Sequence, residues 1–417
     1  MSPMLLEPVD RLIGEVSVPG DKSISHRLLM LAALSEGTSL IEGLNKGEDV
    51  RNTLKIICSL GAETLQNKDD FLTIKGGQLR QAKNSLDVGN SGTGIRLFAG
   101  MLAGMPFSTI LDGDASIRTR PMERIIDPLQ KMGSCITSVN QDGLPPLKIS
   151  GGNLQGIEYQ TDIASAQVKS CIMFAALFAD APTTVVEKAP TRAHTEELFK
   201  KVGLGVKVEN TRITVEPGKP QSFEHNVEGD PSQAAFWVVA ATILSGSELT
   251  IKNIYKGPQR SGFLDVLLRM GANIKYSKES NDIFVTSSEL SGTVVEEDEV
   301  PGLIDEIPIL AVAAVCANGT THFKGLSELR LKETDRLKTI TSELSSMGAN
   351  IEIIEDGLLI EGSHFNGGDV QSHGDHRIAM SCAIAALVSR KPTKIHGWEC
   401  VDTSYPNFAA DLIDLIE

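Results

Sequence analysis

The chain has 417 residues, 41% of them hydrophobic and 22% charged, with a formal net charge of −15. That length exceeds one ordinary core and implies two domains. The acidic balance argues against a nucleic-acid partner, which needs a broad basic face, yet it allows a small anionic ligand held by a few converging Lys and Arg side chains.

The most apolar stretches, Ala234–Leu244 and Ile307–Ala317, fall well short of the ~20 residues that cross a bilayer, so they read as buried helices and no membrane partner is expected. The opening MSPMLLEPVDRL has neither a basic segment before an apolar run nor an Arg/Ser-rich leader, and residence in the cytoplasm is expected. Cysteines at 58, 135, 171, 316, 382 and 400 form no CxxC pair and read as reduced core thiols.

Taken in order, two predicted elements alternate. An Ala-rich apolar helix opens at DKSISHRLLMLAAL from Asp21, and an amphipathic helix then ends at Gly61 ahead of strand-like segments. The pair recurs as NSGTGIRLFAGML from Asn90 with LQKMGSCI at Gly133, and as SAQVKSCIMFAAL from Ser165 with LFKKVGLGVKV at Gly203. It continues with GDPSQAAFWVVAA from Gly229, LLRMGANIKY at Gly271, DEIPILAVAAV from Asp305, LSSMGANIEI at Gly348 and GDHRIAMSCAIAAL from Gly374. Each of the five glycines follows a Leu/Met-rich helix, where a left-handed residue is expected just past the helix end. The segments after it, such as Ile351–Ile354 and Leu358–Ile360 around Asp356-Gly357, predict a hairpin.

Six units of about 70 residues account for nearly the whole chain. Only five hairpins are complete, because the last helix, FAADLIDLIE, has no strands after it. The segment up to Val18 is expected to supply the missing strands, which places the two termini in one domain. Residues 20–227 then form one three-repeat domain, and residues 1–19 with 228–417 form the other. The joints fall at Val18-Pro19-Gly20 and Val227-Glu228-Gly229.

Six buried helices beginning with Ser, Asp, Asn or Gly offer six N-termini with free N–H groups and positive dipole ends. Gathered on one face of each domain, such ends suit anions. Capping explains Ser or Asp at these positions but not the accompanying cations, which the dipole opposes. These are Lys22 and Arg27 with Ser23, Arg96 with Arg118 and Arg120, Lys169 with Arg192, and Lys332, Arg336 and Arg377 with His376. Their recurrence favours ligands bearing several phosphates or carboxylates. Other anion motifs fail: Gly20-Asp21-Lys22-Ser23 lacks the Walker Gly-Lys step, and Gly89–Gly94 is not GxGxxG. His373 and His376 have no third ligand pattern around them, so no metal is expected.

The motifs PGDKSISHR, GNSGTGIR, RTRPM, SAQVKS, RAHTE, EGDPSQAAF, IDEIP, LKETDRL and GDHR stand in order along almost the full chain. As a set they resemble the 5-enolpyruvylshikimate-3-phosphate synthase family. The resemblance implies a two-domain inside-out α/β barrel of six βαβαββ repeats, three per domain. It implies transfer of the enolpyruvyl group of phosphoenolpyruvate to shikimate 3-phosphate, small-molecule substrates only, and no metal or organic cofactor. A monomer is expected. Residues 20–227 would mainly hold shikimate 3-phosphate, and the other domain would carry Asp305, KETDR and DHR.

Carried over position by position, the resemblance assigns shikimate 3-phosphate to Lys22, Ser23, Arg27, Ser165, Gln167, Arg192, Asp305 and Lys332. Phosphoenolpyruvate falls to Lys22, Asn90, Gly92, Arg120, Gln167, Arg336, His376 and Arg377. The chemistry needs acid–base groups at C3 of phosphoenolpyruvate and at the 5-hydroxyl of the acceptor. Asp305 is expected to serve the hydroxyl and Glu333 the C3 proton, with Lys22 as their cationic partner. Read without the motifs, Asp305 would be a helix cap and Glu333 an exposed helix residue.

Two positions depart from the family pattern. Thr403 stands where many members have Lys before an aromatic-Pro pair, and Leu97 stands where some have Pro. The resemblance also makes the chain a glyphosate target, with the space beside Gly92 deciding access and Leu97 complicating it. The related UDP-N-acetylglucosamine enolpyruvyl transferases have a reactive Cys in the loop equivalent to Asp112–Pro121, which holds none here. A non-catalytic anion-binding repeat protein would not need Asp305 and Glu333 beside the cations.

Overall fold

The computed structural model describes residues 3–68 and 71–416. The chain divides into two compact units, Gly20–Val227, and Met1–Pro19 together with Glu228–Glu417.

Each unit is built around three helices that are buried on nearly every side. In one these are Lys22–Leu34, Gly92–Ala103 and Ala166–Ala176. In the other they are Pro231–Ile243, Ile307–Val315 and His376–Leu387. A helix apolar all round belongs inside a core, which is what their Ala-, Leu- and Val-rich sequences dictate. Small residues let them approach closely: a Cβ on Gly100 would stand 2.0 Å from the Cys171 carbonyl oxygen of the neighbouring helix.

Amphipathic helices and small sheets cover these cores. Helices Glu48–Ser59, Glu123–Lys131, His194–Lys201, Gly262–Arg269 and Arg336–Ser346 each end at one of the five predicted glycines. Gly61, Gly133, Gly203, Gly271 and Gly348 all take positive φ, from 81° to 112°. The next residue's N–H closes back onto the helix, as in Ala62 to Ile57 and Ala349 to Leu344, both close to 3 Å. That is the Schellman closure expected of a left-handed residue past a helix end. The predicted hairpins follow, among them Asn350–Ile354 with Gly357–Glu361 in antiparallel register.

Among the described residues, five sheets have four strands and one has three. In a four-stranded sheet a parallel strand flanks an antiparallel trio, as Leu86–Asp87 flanks Ser108–Asp112, Leu147–Ser150 and Cys135–Ser138. The N-terminal segment completes the sixth sheet only in part. Met4–Leu6 joins it antiparallel to Thr393–His396, but Ile13–Val16 pairs in parallel with Glu248–Ile251 of the next sheet. Ile13–Val16 there fills the flanking parallel position that the other four-stranded sheets also have. After the helix Phe408–Leu415 the described residues form an isolated bridge, Leu12 to Ile416. That helix is fixed by aromatic packing: Phe408 stacks on Trp237 with ring centroids 4.8 Å apart, and the Trp237 indole N–H donates to the Tyr405 hydroxyl at 3.2 Å.

All six cysteines are free; Cys171, Cys382 and Cys400 are buried and Cys316 is half-buried, but Cys58 and Cys135 are exposed, so the core-thiol reading fails for these two. Both sit on outward positions of covering elements, where a small polarizable side chain is tolerated. No helix of the described residues is long and apolar enough to cross a membrane.

Candidate active site

Five of the six buried helices are capped by a side chain. Asp21, Ser91, Ser165, Asp230 and Asp375 each accept from a backbone N–H two or three residues on. These caps leave other first-turn N–H groups aimed out of the helix. The cations are added to that frame.

In the unit Gly20–Val227, Lys22 lies in the first turn of its helix and pairs with Asp49 at 3.0 Å. Ser23 is half-buried beside it. Arg27, one turn further in, is 2% exposed. Its Nε donates to the Thr195 hydroxyl and its Nη2 to the Ser170 hydroxyl, each at 2.7 Å, while Nη1 donates to the Ser23 carbonyl at 2.8 Å. Arg27 therefore ties three helices together beneath Ser23. Buried His26 bridges Thr53 and Ser91. Burial, with Lys22 and Arg27 nearby, holds its imidazole well below the ordinary range.

A second group gathers at the start of helix Gly92–Ala103. Buried Arg120 donates to the Asn90 side-chain oxygen at 3.3 Å, and Asn90 donates to Asp114 at 2.7 Å. Gln167 accepts from Arg96 and donates to the Thr93 hydroxyl at 3.0 Å. Gly92 lies between the two guanidinium groups. The volume beside its Cα is not open: an ideal Cβ there would stand 2.3 Å from Arg120 Nη1 and 3.4 Å from Arg96 Nη1. Leu97 is fully buried in the same helix. Ser165 caps helix Ala166–Ala176, and half-buried Arg192 precedes helix His194–Lys201.

Two cations singled out in the sequence are taken up elsewhere. Arg118 forms an ion pair with Asp112 through Nε at 3.0 Å and Nη2 at 2.6 Å, and lies largely exposed. The Arg118 guanidinium draws the Asp112 carboxyl below its ordinary range. Lys169 is buried between Glu187 at 3.1 Å and Glu196 at 2.6 Å, which makes it a core ion pair.

In the unit containing residues 228–417, Arg336 is the hub. Its side chain is 1% exposed and its guanidinium reaches three carboxylates. Nε meets Asp375 Oδ2 at 2.7 Å, Nη2 meets Glu333 Oε2 at 2.5 Å, and Nη1 meets Asp305 Oδ1 at 3.4 Å. Although burial alone would lower it, the paired carboxylates hold the Arg336 guanidinium above its ordinary range. Lys332 joins Asp305 at 3.1 Å, and Arg377 Nη1 donates to the Asp305 carbonyl at 3.0 Å. Asp305 does not cap a helix; it stands in the single turn Ile304–Glu306. Glu333 is half-buried ahead of helix Arg336–Ser346, not on its exposed face. His376 is buried with Nδ1 3.3 Å from the Thr403 hydroxyl, which also bonds the Cys400 carbonyl. Thr403 is thereby engaged in local structure.

Sequence reasoning missed the residues that orient these groups. Asp49 reads as an ordinary acidic first-turn residue, and Asp375 as a mere cap. Yet Asp375, with no exposure, accepts from Arg336, Thr334 and the Arg377 backbone at once. A carboxylate between two Arg in GDHR and KETDR was the available signal.

Repeated βαβαββ units, with guanidinium and ammonium groups meeting carboxylates at the starts of buried helices, are the features of an enolpyruvyl transferase. The sequence matches the family model of EPSP synthase (3-phosphoshikimate 1-carboxyvinyltransferase) over residues 6–412. It is 47% identical over 407 residues to the 3-phosphoshikimate 1-carboxyvinyltransferase of Thermoanaerobacter sp. (strain X514), covering 95% of this chain and 96% of that protein. Against the enzyme of Streptococcus pyogenes serotype M49 the identity is 46%, covering 96% of each. Among solved structures, EPSP synthase from Acinetobacter baumannii superposes with a TM-score of 0.87 at 39% identity, covering 100% of this chain and 98% of that one. The enolpyruvyl transferase NikO from Streptomyces tendae shares the fold, with a TM-score of 0.80 at 17% identity over 99% and 97% of the two chains. The chain belongs to the EPSP synthase family. Its fold is the two-domain inside-out α/β barrel, and its activity is enolpyruvyl transfer from phosphoenolpyruvate to shikimate 3-phosphate in aromatic biosynthesis.

Proposed function

We propose that Asp305 and Glu333 carry the proton transfers of this reaction, with Lys22 as their cationic partner. The observation that supports this assignment is the single guanidinium of Arg336, which holds Asp305 and Glu333 on adjacent nitrogens. Two carboxylates kept apart on one rigid fork are suited to separate proton tasks. Glu333 delivers a proton to C3 of phosphoenolpyruvate, which makes C2 electrophilic. The 5-hydroxyl of shikimate 3-phosphate bonds to C2 as Asp305 takes its proton. The tetrahedral adduct then returns a C3 proton to Glu333 while the C2–O bond to phosphate breaks. The proton taken from the hydroxyl leaves with phosphate, so the transfer is balanced and needs no cofactor.

Lys22, Ser23, Arg27, Ser165, Gln167 and Arg192, with Asp305 and Lys332, hold shikimate 3-phosphate in this reading. Phosphoenolpyruvate is held by Lys22, Asn90, Gly92, Arg120, Gln167, Arg336, His376 and Arg377. Charge-assisted hydrogen bonds from forked guanidinium groups match the geometry of phosphate and carboxylate. Arg27 acts partly through Ser23, whose carbonyl it anchors. The enzyme works as a monomer in the cytoplasm, on small molecules alone. Phosphate release tests the reading: it should require both substrates together and fall at least a hundredfold in Asp305→Asn. Release from phosphoenolpyruvate alone, or undiminished release in that variant, would contradict it.

A further inference from the structure

Beside Asp305 lies a buried polar cluster that takes no part in the mechanism above. Arg260, Asp230, Ser232 and Glu306 are 2%, 4%, 1% and 1% exposed. Arg260 Nη2 meets Asp230 Oδ1 at 2.6 Å, and its Nη1 donates to the Ser232 hydroxyl at 2.9 Å. That hydroxyl in turn donates to Glu306 Oε1, with Arg260 Nη1 3.8 Å from the same oxygen. Asp230 also caps helix Pro231–Ile243 through the Ser232 N–H at 2.8 Å.

The elements joined here are otherwise separate in sequence. Arg260 precedes helix Gly262–Arg269, and Asp230 and Ser232 open the buried helix Pro231–Ile243. Glu306 is the last residue of the turn Ile304–Glu306 and stands at the start of helix Ile307–Val315, which has no side-chain cap of its own. Ion pairs at this depth are costly to desolvate, and a well-packed apolar cluster would serve stability as well or better. A function of fixing geometry accounts for them where stability does not.

The geometry concerned is that of Asp305. Its neighbour Glu306 points inward to Ser232 while Asp305 itself meets Lys332 and Arg336. Among the contacts that hold this short turn are Arg377 on the Asp305 carbonyl and the Arg260–Ser232 pair on the Glu306 carboxylate. We propose that Arg260, Ser232 and Glu306 form a buried relay that sets the orientation of the Asp305 carboxylate. They are positioning residues for proton removal from the acceptor hydroxyl. The relay rests on the assignment of Asp305 as the base. Displacing a reacting group by about 1 Å costs on the order of a hundredfold in rate, so the relay acts on turnover more than on substrate binding.

Steady-state kinetics of Glu306→Gln, Ser232→Ala, Arg260→Lys and Asp305→Asn test it, with the folded fraction measured for each. In Glu306→Gln and Ser232→Ala, kcat per folded enzyme should fall about tenfold or more while KM for either substrate changes less than about threefold. A purely structural cluster would lower thermal stability and leave kcat per folded enzyme unchanged. The double variant Glu306→Gln/Arg260→Lys should fall no further than the worse single variant, as for residues acting as a unit. If Arg260→Lys does not fold, Ser232→Ala, which removes one hydroxyl, carries the test. An inactive Asp305→Asn beside wild-type kcat in Glu306→Gln and Ser232→Ala would overturn the relay alone. An active Asp305→Asn would overturn the assignment of the base, and the relay with it.

Discussion

Arg120 Nη1 occupies the place beside Gly92 where a Cβ would stand, 2.3 Å from that position. The absent side chain at residue 92 therefore makes room for a guanidinium. Gly92→Ala should push Arg120 aside, and buried Arg120 has little space in which to yield. We expect KM for phosphoenolpyruvate to rise about threefold to tenfold and the inhibition constant for glyphosate to rise further. Both constants measured on wild type and variant decide it. An unchanged KM would show that Arg120 relocates at no cost to substrate binding.

The pair Lys22–Asp49 leads to a second expectation. Both side chains are largely buried, at 14% and 6% exposure, so the ammonium is held in a fixed direction. Lys22→Ala should cost about 3 kcal/mol or more in transition-state stabilisation, roughly a hundredfold or more in kcat/KM. Asp49→Asn keeps the cation but loosens it, and should lose about tenfold or less. A Lys22→Ala enzyme within tenfold of wild type would remove Lys22 from the mechanism.

Arg336 should matter to the fold as well as to the reaction. Arg336→Met leaves Asp375 buried without its main partner, and breaking such a pair costs about 3–5 kcal/mol. Denaturant unfolding should show that loss, whereas Arg336→Lys, which keeps the charge but not the fork, should lose more activity than stability. Equal stability of Arg336→Met and wild type would contradict the role of the Arg336–Asp375 pair.

Stability should fall on mild acidification. Burial holds His26 far below its ordinary range, and burial with Lys201 brings His225 down to about 4. The unfolded chain takes up these protons near pH 6.5 while the folded chain does not. The contribution is complete above about pH 6.5 and is lost as pH falls toward the folded values. Glu187, raised by burial, works in the opposite direction, so the comparison is between wild type and His225→Gln. The Tm of wild type should drop more between pH 7 and pH 5 than that of the variant. Parallel profiles would contradict the His225 assignment.

Much of the fold was legible because it is local. The five left-handed glycines, their hairpins and the apolar helices follow from spacings within a few residues. Register at the termini was not legible: nothing in IGEV says that it flanks Glu248–Ile251 rather than completing the sixth sheet. The partners of the cations were hidden for the same reason. Arg118 and Lys169 look like Arg120 and Lys22 in sequence, and only the fold brings Asp112 to one and Glu187 with Glu196 to the other. Arg27 was readable as a helix-start cation, but not its contacts with Ser170 and Thr195, far along the chain.

In this enzyme the acceptor hydroxyl adds to C2 with protonation at C3, and elimination of phosphate follows. Running the reaction in D2O and reading C3 of recovered phosphoenolpyruvate and of the enolpyruvyl product by mass spectrometry tests it directly. The methyl group of the adduct carries solvent deuterium, and elimination can remove either isotope. Deuterium should therefore appear at C3 of both compounds, only when shikimate 3-phosphate is present, and far more slowly in Glu333→Gln. Product formed with no deuterium at C3, or exchange into phosphoenolpyruvate without shikimate 3-phosphate, would rule out addition followed by elimination.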